Sequence, residues 1–394
     1  MIKILSNLLL AFQSVLAGLV SYLLLLTAAA LRAPKTTKKA NGRTHRFLIL
    51  IPAHNEEKLL PDLLANLRKL DYPTDSYAVH VVADNCTDNT AVIARQHGAT
   101  VHERFHQTLR GKGYALQWLL AQIQNTPHDA IVILDADSII SQNFLQAMNA
   151  RLANGERVIQ AYYAVRAPEQ SSSAGLRYAA LAVLHYLRPQ GRMVLGGSAG
   201  LKGNGMVFVA DLLRQHEWSA SLTEDIEFHM QLILAGERVT FAPDAVVWAE
   251  MPDTLAASQT QNARWEQGRL EMARQYVPIL LRRAAREGNF ALFDAAMEHL
   301  IPPFSVLAGL SLLGMGTAVF QTKSRRATAV ALGAYTILAQ IIYLLAGLRL
   351  ANAPRAVYRA LLGIPRFLLW KIRLYLGVLL GQKEEGWVRT GRNE

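Results

Sequence analysis

A chain of 394 residues with 51% hydrophobic and only 18% charged residues has room for one large domain or two modest ones. Its mean hydropathy of +0.14 is too apolar for an ordinary soluble enzyme and too polar for a pure transporter, so a soluble domain tied to a few membrane segments is expected. The net charge of +11 suits nucleic acid, anionic lipid or an anionic substrate, while Cys86, the only cysteine, excludes an internal disulfide and a cysteine-based metal site.

Residues 4–31 carry no charge and exceed the roughly 20 residues needed to cross a bilayer. A signal peptide would have a much shorter apolar region. Arg32, Lys35, Lys38, Lys39, Arg43 and Arg46 follow, against Lys3 alone in front. The positive-inside rule then puts the amino terminus outside and the next segment in the cytoplasm.

From Phe47 the pattern becomes α/β. Strands are predicted over 47–51, 79–83 and 100–102, each followed by polar residues and a helical stretch: Pro52-Ala-His-Asn-Glu-Glu57, Asp84-Asn-Cys-Thr-Asp-Asn-Thr90 and Arg110-Gly-Lys-Gly113. The run Ile131 to Leu134 has the unbroken β-branched character of a strand buried on both faces, and it ends in Asp135 and Asp137. Such a position, beyond the carboxyl end of a parallel strand, is where open α/β sheets bind ligands. Paired oxygens there suit a hard divalent cation carrying a nucleotide diphosphate, and they equally suit a turn that caps the next helix.

Further strands are predicted over 158–165, 206–209, 239–241 and 245–248, and an apolar helix over 174–187. Thr223-Glu-Asp225 places acids at a helix start, where the dipole favours them. Residues 276–297 mix apolar positions with Arg282, Arg283 and Arg286, as in a helix lying on a membrane surface. The charge-free stretches 303–320 and 327–348 are each long enough to cross. Arg355, Arg359, Arg366, Lys371 and Arg373 then make a further crossing costly and favour amphipathic helices on the cytoplasmic surface. The expected division is an anchor at 1–32, a catalytic domain at 45–270, interfacial helices at 271–300, two spans at 301–350, and interfacial helices with a cytoplasmic tail at 351–394. The basic residues flank apolar spans and form no aromatic-basic face, which argues against nucleic acid.

Four elements stand in order: Asp84, the Asp135/Asp137 pair, Thr223-Glu-Asp225, and Gln261-x-x-Arg264-Trp265. Their order resembles the membrane-bound family 2 glycosyltransferases, among them the cellulose, hyaluronan and poly-N-acetylglucosamine synthases and ceramide glucosyltransferase. The resemblance covers roughly 47–269. It implies a GT-A-like, mostly parallel α/β sheet domain with transmembrane and interfacial helices at both ends, set in a bacterial inner or plasma membrane with the catalytic domain cytoplasmic.

By that resemblance, Mg²⁺ or Mn²⁺ held by Asp137, with Asp135 nearby, neutralises charge on the leaving diphosphate. Glu56 and Asp84 match positions that contact base and ribose, Lys112 a basic residue near the nucleotide, and Arg264 a phosphate partner. Asp225, with Glu224 beside it, is the expected general base, and a single direct displacement inverts the anomeric configuration. Gly203, Asn204 and Gly205, with Gln261 and Trp265, are expected on the acceptor side. Trp387, Thr390 and Arg392 match, loosely, a gating segment. The resemblance implies transfer of a hexose or N-acetylhexosamine from a UDP-sugar into a β-linked polysaccharide, with single transfer to a lipid acceptor as the alternative. Each residue also has a plainer reading: Glu56 as a helix-start acid, Asp84 as a turn residue, Thr223-Glu-Asp225 as a cap, Trp265 as a membrane-interface anchor.

Overall fold

The computed structural model describes residues 2–33, 43–216, 218, 223–250 and 259–380. Eight strands, β1 Phe47–Ala53, β2 Tyr77–Asp84, β3 Thr100–Arg104, β4 Ala130–Ile133, β5 Ser138–Ile140, β6 Val158–Val165, β7 Met206–Val209 and β8 Val239–Ala249, form one sheet in the order β3-β2-β1-β4-β7-β6-β8-β5. The first four are parallel, as the alternation of strands and helices predicts. β7 then enters antiparallel to both β4 and β6, β8 runs parallel to β6, and β5 closes the edge antiparallel to β8. The two late strands expected over 239–241 and 245–248 are one strand, β8, whose pairing to β6 shifts register between Ala161 and Tyr162.

The helices of the first half are α1 Ile2–Arg32, α2 Leu60–Leu67, α3 Thr90–Gln96, α4 Lys112–Gln122, α5 Phe144–Ala153, α6 Ser172–Leu181 and α7 Arg188–Val194, the last two joined by a π-turn at Ala182–Leu187. Those of the second half are α8 Ala210–Gln215, α9 Glu224–Leu234, α10 Gln259–Glu287, α11 Phe290–Leu300, α12 Phe304–Gly316, α13 Lys323–Leu350, α14 Arg355–Ala360 and α15 Ile364–Leu379. Neither β5 nor α5 is foreseen in the sequence.

Strand alternation sorts the core into two layers. Phe47, Ile49 and Ile51 face Leu60, Leu63 and Leu64 of α2 and Phe144 and Met148 of α5. Leu48 and Leu50 face Leu116 and Leu119 of α4, in an apolar cluster that continues through α6 and the π-turn to Leu23 of α1 and Tyr343 of α13. The sheet is thereby fused to the apolar helices rather than tethered to them. The closest approach is at Gly191 of α7, where a methyl group would lie 2.3 Å from the Leu26 carbonyl oxygen of α1.

α1 and α13 are long and apolar enough to cross a membrane. The stretch expected to span over 303–320 is helical from Phe304 to Phe320: α12 runs on through a 3-10 turn at Thr317–Phe320, together about 28 Å against the roughly 30 Å of a hydrocarbon core. With α11 it forms a pair bent by 72°, a broken span or a re-entrant element. The boundary expected at 270 falls inside α10, which runs unbroken from Gln259 to Glu287. Its apolar face, Met272, Tyr276, Val277 and Leu280, is covered by α9 and α11 through Met230, Ile233, Leu292 and Ala295. That face is therefore occupied by protein, and the surface helix expected over 276–297 is a packed helical hairpin.

Candidate active site

Parallel registers set the site. Ala53 pairs with Ala83 and Leu50 with Ile133, so the segments after β1, β2 and β4 leave the sheet at one edge. Asn55 (φ 56°) and Asn85 (φ 51°) turn the chain there in the left-handed region, which Asn tolerates best among residues with a Cβ. Antiparallel β7 begins at Met206 opposite Ile133, which brings Gly203-Asn204-Gly205 to the same edge. Glu224 and Asp225 occupy the first turn of α9, and Gly268 lets α10 close on that turn, since a methyl there would meet the Thr223 side chain at 2.2 Å.

These elements wall one cavity of about 1030 Å³. Glu56, Asp84, Lys112, Asp135, Asp137, Gly203, Glu224, Asp225 and Trp265 all line it. Lys112 pairs with Asp135 and donates to the Gly203 carbonyl at 2.5 Å. A methyl on Gly203 (φ 78°) would lie 3.3 Å from Asp225 Oδ2, which measures how close this loop comes to the acid. Arg104 holds Asp84 at 2.5 Å and donates to the Leu109 carbonyl at 2.7 Å, bracing the loop before α4. The Glu56 amide donates to Thr90 Oγ1 at 2.7 Å, fixing the turn after β1 to the start of α3.

The charges are set against each other. Burial works against the Lys112 ammonium, but Asp135 and Glu224 outweigh it and hold its pKa above the usual lysine value. Burial pushes the Glu224 carboxyl up to about 7, with Lys112 opposing and Asp225 adding to the rise. Burial raises Asp225 as well, against the pull of Lys112 and Lys202. Two neighbouring carboxylates on one helical turn are thus both raised, by burial first.

Part of the acceptor-side expectation is corrected. Asn204 is fully buried and does not line the cavity: its Oδ1 accepts from the Asp135 amide at 3.2 Å and its Nδ2 donates to Ser138 Oγ at 2.8 Å. It fixes the two-aspartate turn instead of meeting a substrate. Gly205 is likewise a packing position, where a methyl would lie 2.6 Å from Val247 Cγ2. Trp265 is 41% exposed at the cavity wall, with Asn262, Glu266 and Arg269 on the same face of α10. The side chains of Gln261 and Arg264, and the tail residues Trp387, Thr390 and Arg392, lie outside the described residues.

Several wall residues escape the motif reading. Tyr163 on β6 stacks on His185 of the π-turn at 5.2 Å, and burial with the nearby Asp135 and Asp137 raises its pKa well above the usual tyrosine value. π-turns recur at functional sites, and this one turns His185 inward. Arg188 and Arg192 on α7 face Asp294 and Glu298 on α11. The signal for these was present: two arginines, then two carboxylates, each four apart in an otherwise apolar helix. Beyond them the wall turns apolar, with Phe304, Ala308 and Leu312 of α12, Ile337, Ile341 and Leu344 of α13, and Ile364, Phe367 and Leu368 of α15. Lys371 of α15 ties this end to α10, bonding Glu266 at 2.9 Å and Asn262 at 3.0 Å.

The family model described as glycosyltransferase like family 2 matches residues 45–268, more than half of the chain. The chain belongs to glycosyltransferase family 2. It is similar to the β-monoglucosyldiacylglycerol synthase of Nostoc, at 27% identity over 67% of this chain and 57% of the relative. It is also similar to the poly-β-1,6-N-acetyl-D-glucosamine synthase of Staphylococcus aureus, at 25% identity over 67% of this chain and 63% of the relative. The match thus spans less than two thirds of either relative. Among solved structures, a mannosyltransferase from Pyrobaculum calidifontis in complex with GDP-Man and Mn²⁺ shares the fold, with a TM-score of 0.56, 19% identity, and 88% of this chain and 99% of that chain covered. The family 2 membership and the GT-A-like architecture expected from the motif order both hold, and α1 and α13 are candidate membrane spans.

Proposed function

We propose that this family 2 enzyme transfers a hexose or N-acetylhexosamine from a nucleotide-diphospho-sugar, a UDP-sugar in the first instance, to the hydroxyl of a lipid, inverting the anomeric centre. One observation carries the choice of acceptor: the cavity that holds the carboxylates runs on without a break into a chamber walled by α12, α13 and α15. Leu312 and Ile341 line that chamber and are 54% and 49% exposed, which supports entry of a chain from the bilayer beside them. An apolar wall suits acyl or isoprenoid chains, whereas a growing polysaccharide needs polar groups matched to its hydroxyls. The relatives include enzymes named for a lipid product and for a polymer, so descent alone leaves the acceptor open.

On this reading Glu56 and Asp84 receive the nucleoside, and Lys112 meets its diphosphate. Asp135 and Asp137 fit a hard divalent cation: they are two carboxylates rather than a cage, and among the described residues no group of three or more His, Cys, Asp or Glu forms a cluster of its own. Diphosphate and water oxygens would complete the shell. When bound, Mg²⁺ or Mn²⁺ supplies charge neutralisation at the leaving diphosphate. Asp225 accepts the proton of the acceptor hydroxyl as its oxygen attacks the anomeric carbon, and burial, which raises its pKa, strengthens it as a base. On this reading the catalytic domain lies on the cytoplasmic face, which the basic run after α1 supports. The test is to incubate membranes containing the enzyme with labelled UDP-glucose, UDP-N-acetylglucosamine and GDP-mannose in turn, then partition the product. Label in the organic phase as a single-sugar lipid is expected; label only in a high-molecular-weight, water-phase or insoluble product overturns the lipid reading.

A further inference from the structure

The cavity contains a charged cluster that the transfer step leaves unused. Arg192 Nε meets Asp294 at 2.7 Å, and Glu298 lies 3.4 Å from Arg188, 3.6 Å from Arg192 and 3.7 Å from Lys202. Three cations therefore face two carboxylates, and Asp294 is fully buried and further engaged by the Tyr22 hydroxyl at 2.5 Å. Arg192 is 1% exposed yet lines the cavity, and among the described residues its Nη2 has no hydrogen-bond partner. A buried N–H without an acceptor is costly, so this guanidinium keeps an unmet attraction for negative charge. Burial lowers the Lys202 pKa, Glu298 and Asp225 pull it back up, and the two arginines lower it.

The position of the cluster defines what it would hold. A methyl on Gly200 would lie 3.6 Å from both His229 Cε1 and Lys202 Nζ, and 3.7 Å from Arg192 Nη1, so these groups meet at one point. Lys202 is one of the charges acting on Asp225, which puts the cluster next to the base. On the other side Arg188 Nε donates to the Tyr343 hydroxyl at 2.7 Å, and the Tyr343 ring packs 5.6 Å from Phe304 at the apolar wall. The order along the cavity is base, excess positive charge, apolar chamber.

We propose that Lys202, Arg192 and Arg188 bind an anionic group lying between the acceptor's hydroxyl and its hydrocarbon chains. The acceptor would then be a phospholipid whose phosphodiester carries a headgroup ending in a free hydroxyl, as phosphatidylglycerol does. This rests on the lipid-acceptor reading above. In the step, the anomeric carbon–oxygen bond to the diphosphate breaks and its electron pair leaves with the nucleoside diphosphate. The headgroup oxygen forms the new bond, its proton passes to Asp225, and the phosphodiester is unchanged. Arginine and lysine supply the donors such an anion requires.

The experiment uses the full chain in neutral detergent with Mn²⁺ and the donor that labels lipid, offering phosphatidylglycerol, diacylglycerol or glycerol 1-phosphate as acceptor. Phosphatidylglycerol is expected to have a kcat/KM about tenfold or more above diacylglycerol, the size of a charge-assisted contact. Glycerol 1-phosphate, with the anion but no chains, is expected to be a poor acceptor. Lys202→Gln is expected to lower the ratio of kcat/KM for phosphatidylglycerol over diacylglycerol about tenfold, its effect on Asp225 being common to both acceptors. Arg373→Gln, on the surface of α15, controls for general charge attraction and is expected to alter neither. Equal or better use of diacylglycerol overturns the anionic-headgroup inference and leaves the lipid reading standing. Efficient glycosylation of glycerol 1-phosphate overturns a lipid source for the anion. A Lys202→Gln defect equal for both lipids assigns the lysine to the base instead and also overturns it. A polymer product with no labelled lipid overturns the reading beneath it. Should no donor label lipid, fluorescent phosphatidylglycerol binding to the Asp225→Asn protein decides: the inference requires tighter binding than diacylglycerol and loss of that preference in the Lys202→Gln background, and it fails if the two lipids bind alike.

Discussion

The two ends of the cavity are built differently. At the carboxylate end, acidic and basic side chains project from loops whose positions follow directly from the strand registers, so the charges are held by the sheet. At the apolar end, α12, α13 and α15 converge from a stretch of chain remote from the sheet motifs, and their wall has no repeated polar signature. Under the proposed function, donor recognition rests on fixed electrostatics, whereas acceptor recognition rests on how three helices meet. Changes at the first end should strike the chemical step, and changes at the second should strike the acceptor's KM.

The largest effect is expected at the base. Asp225→Asn should lower kcat about 10²- to 10⁴-fold, the usual value of a positioned general base, while nucleotide binding measured by calorimetry survives. Retained turnover would remove Asp225 from that role. Chelating divalent ions should likewise abolish transfer, and Mn²⁺ or Mg²⁺ should restore it; Asp137→Asn should then need a higher cation concentration for half-maximal activity. Between the two ends, Asp294→Ala leaves Arg192 buried without its partner and should destabilise the fold by about 3–5 kcal/mol, read as a lower midpoint in detergent unfolding. At the apolar end, Ala308→Trp should fill the chamber and raise the lipid KM about tenfold with donor affinity unchanged. An equal loss of donor affinity would show that the two ends are not separable.

The smallest effect is a shift along the pH axis. A carboxylate whose pKa is raised takes up its proton at higher pH than usual, so the base form of Asp225 is lost, as pH falls, earlier than for a solvent-exposed aspartate. The acidic limb of kcat/KM should therefore lie above the usual carboxylate range. Glu224→Gln removes a neighbouring negative charge and should move that limb to lower pH. A limb unchanged in that variant would show that the pair does not titrate together.

The sheet was largely legible because its strands are short apolar runs ended by polar turns, and Asp84, Asp135 and Asp137 stand at those ends. The antiparallel entry of β7 was not, since run composition carries no direction. Asn204 is placed on the acceptor side by resemblance alone; the hydrogen bond it accepts from the Asp135 amide joins residues far apart in the chain and required the fold. The basic cluster was visible only as isolated charges in apolar helices, and pairing α7 with α11 required the fold.

The central claim is that one cavity joins the activated sugar to a hydrocarbon chain. It is tested most directly by an experimental structure of the Asp225→Asn protein with UDP, Mn²⁺ and a lipid acceptor in a bilayer mimic. The account predicts acyl density between α12, α13 and α15, with the headgroup hydroxyl within hydrogen-bond reach of residue 225. Acyl density confined to the outer surface of α1 and α13, with sugar density filling the chamber, would contradict it.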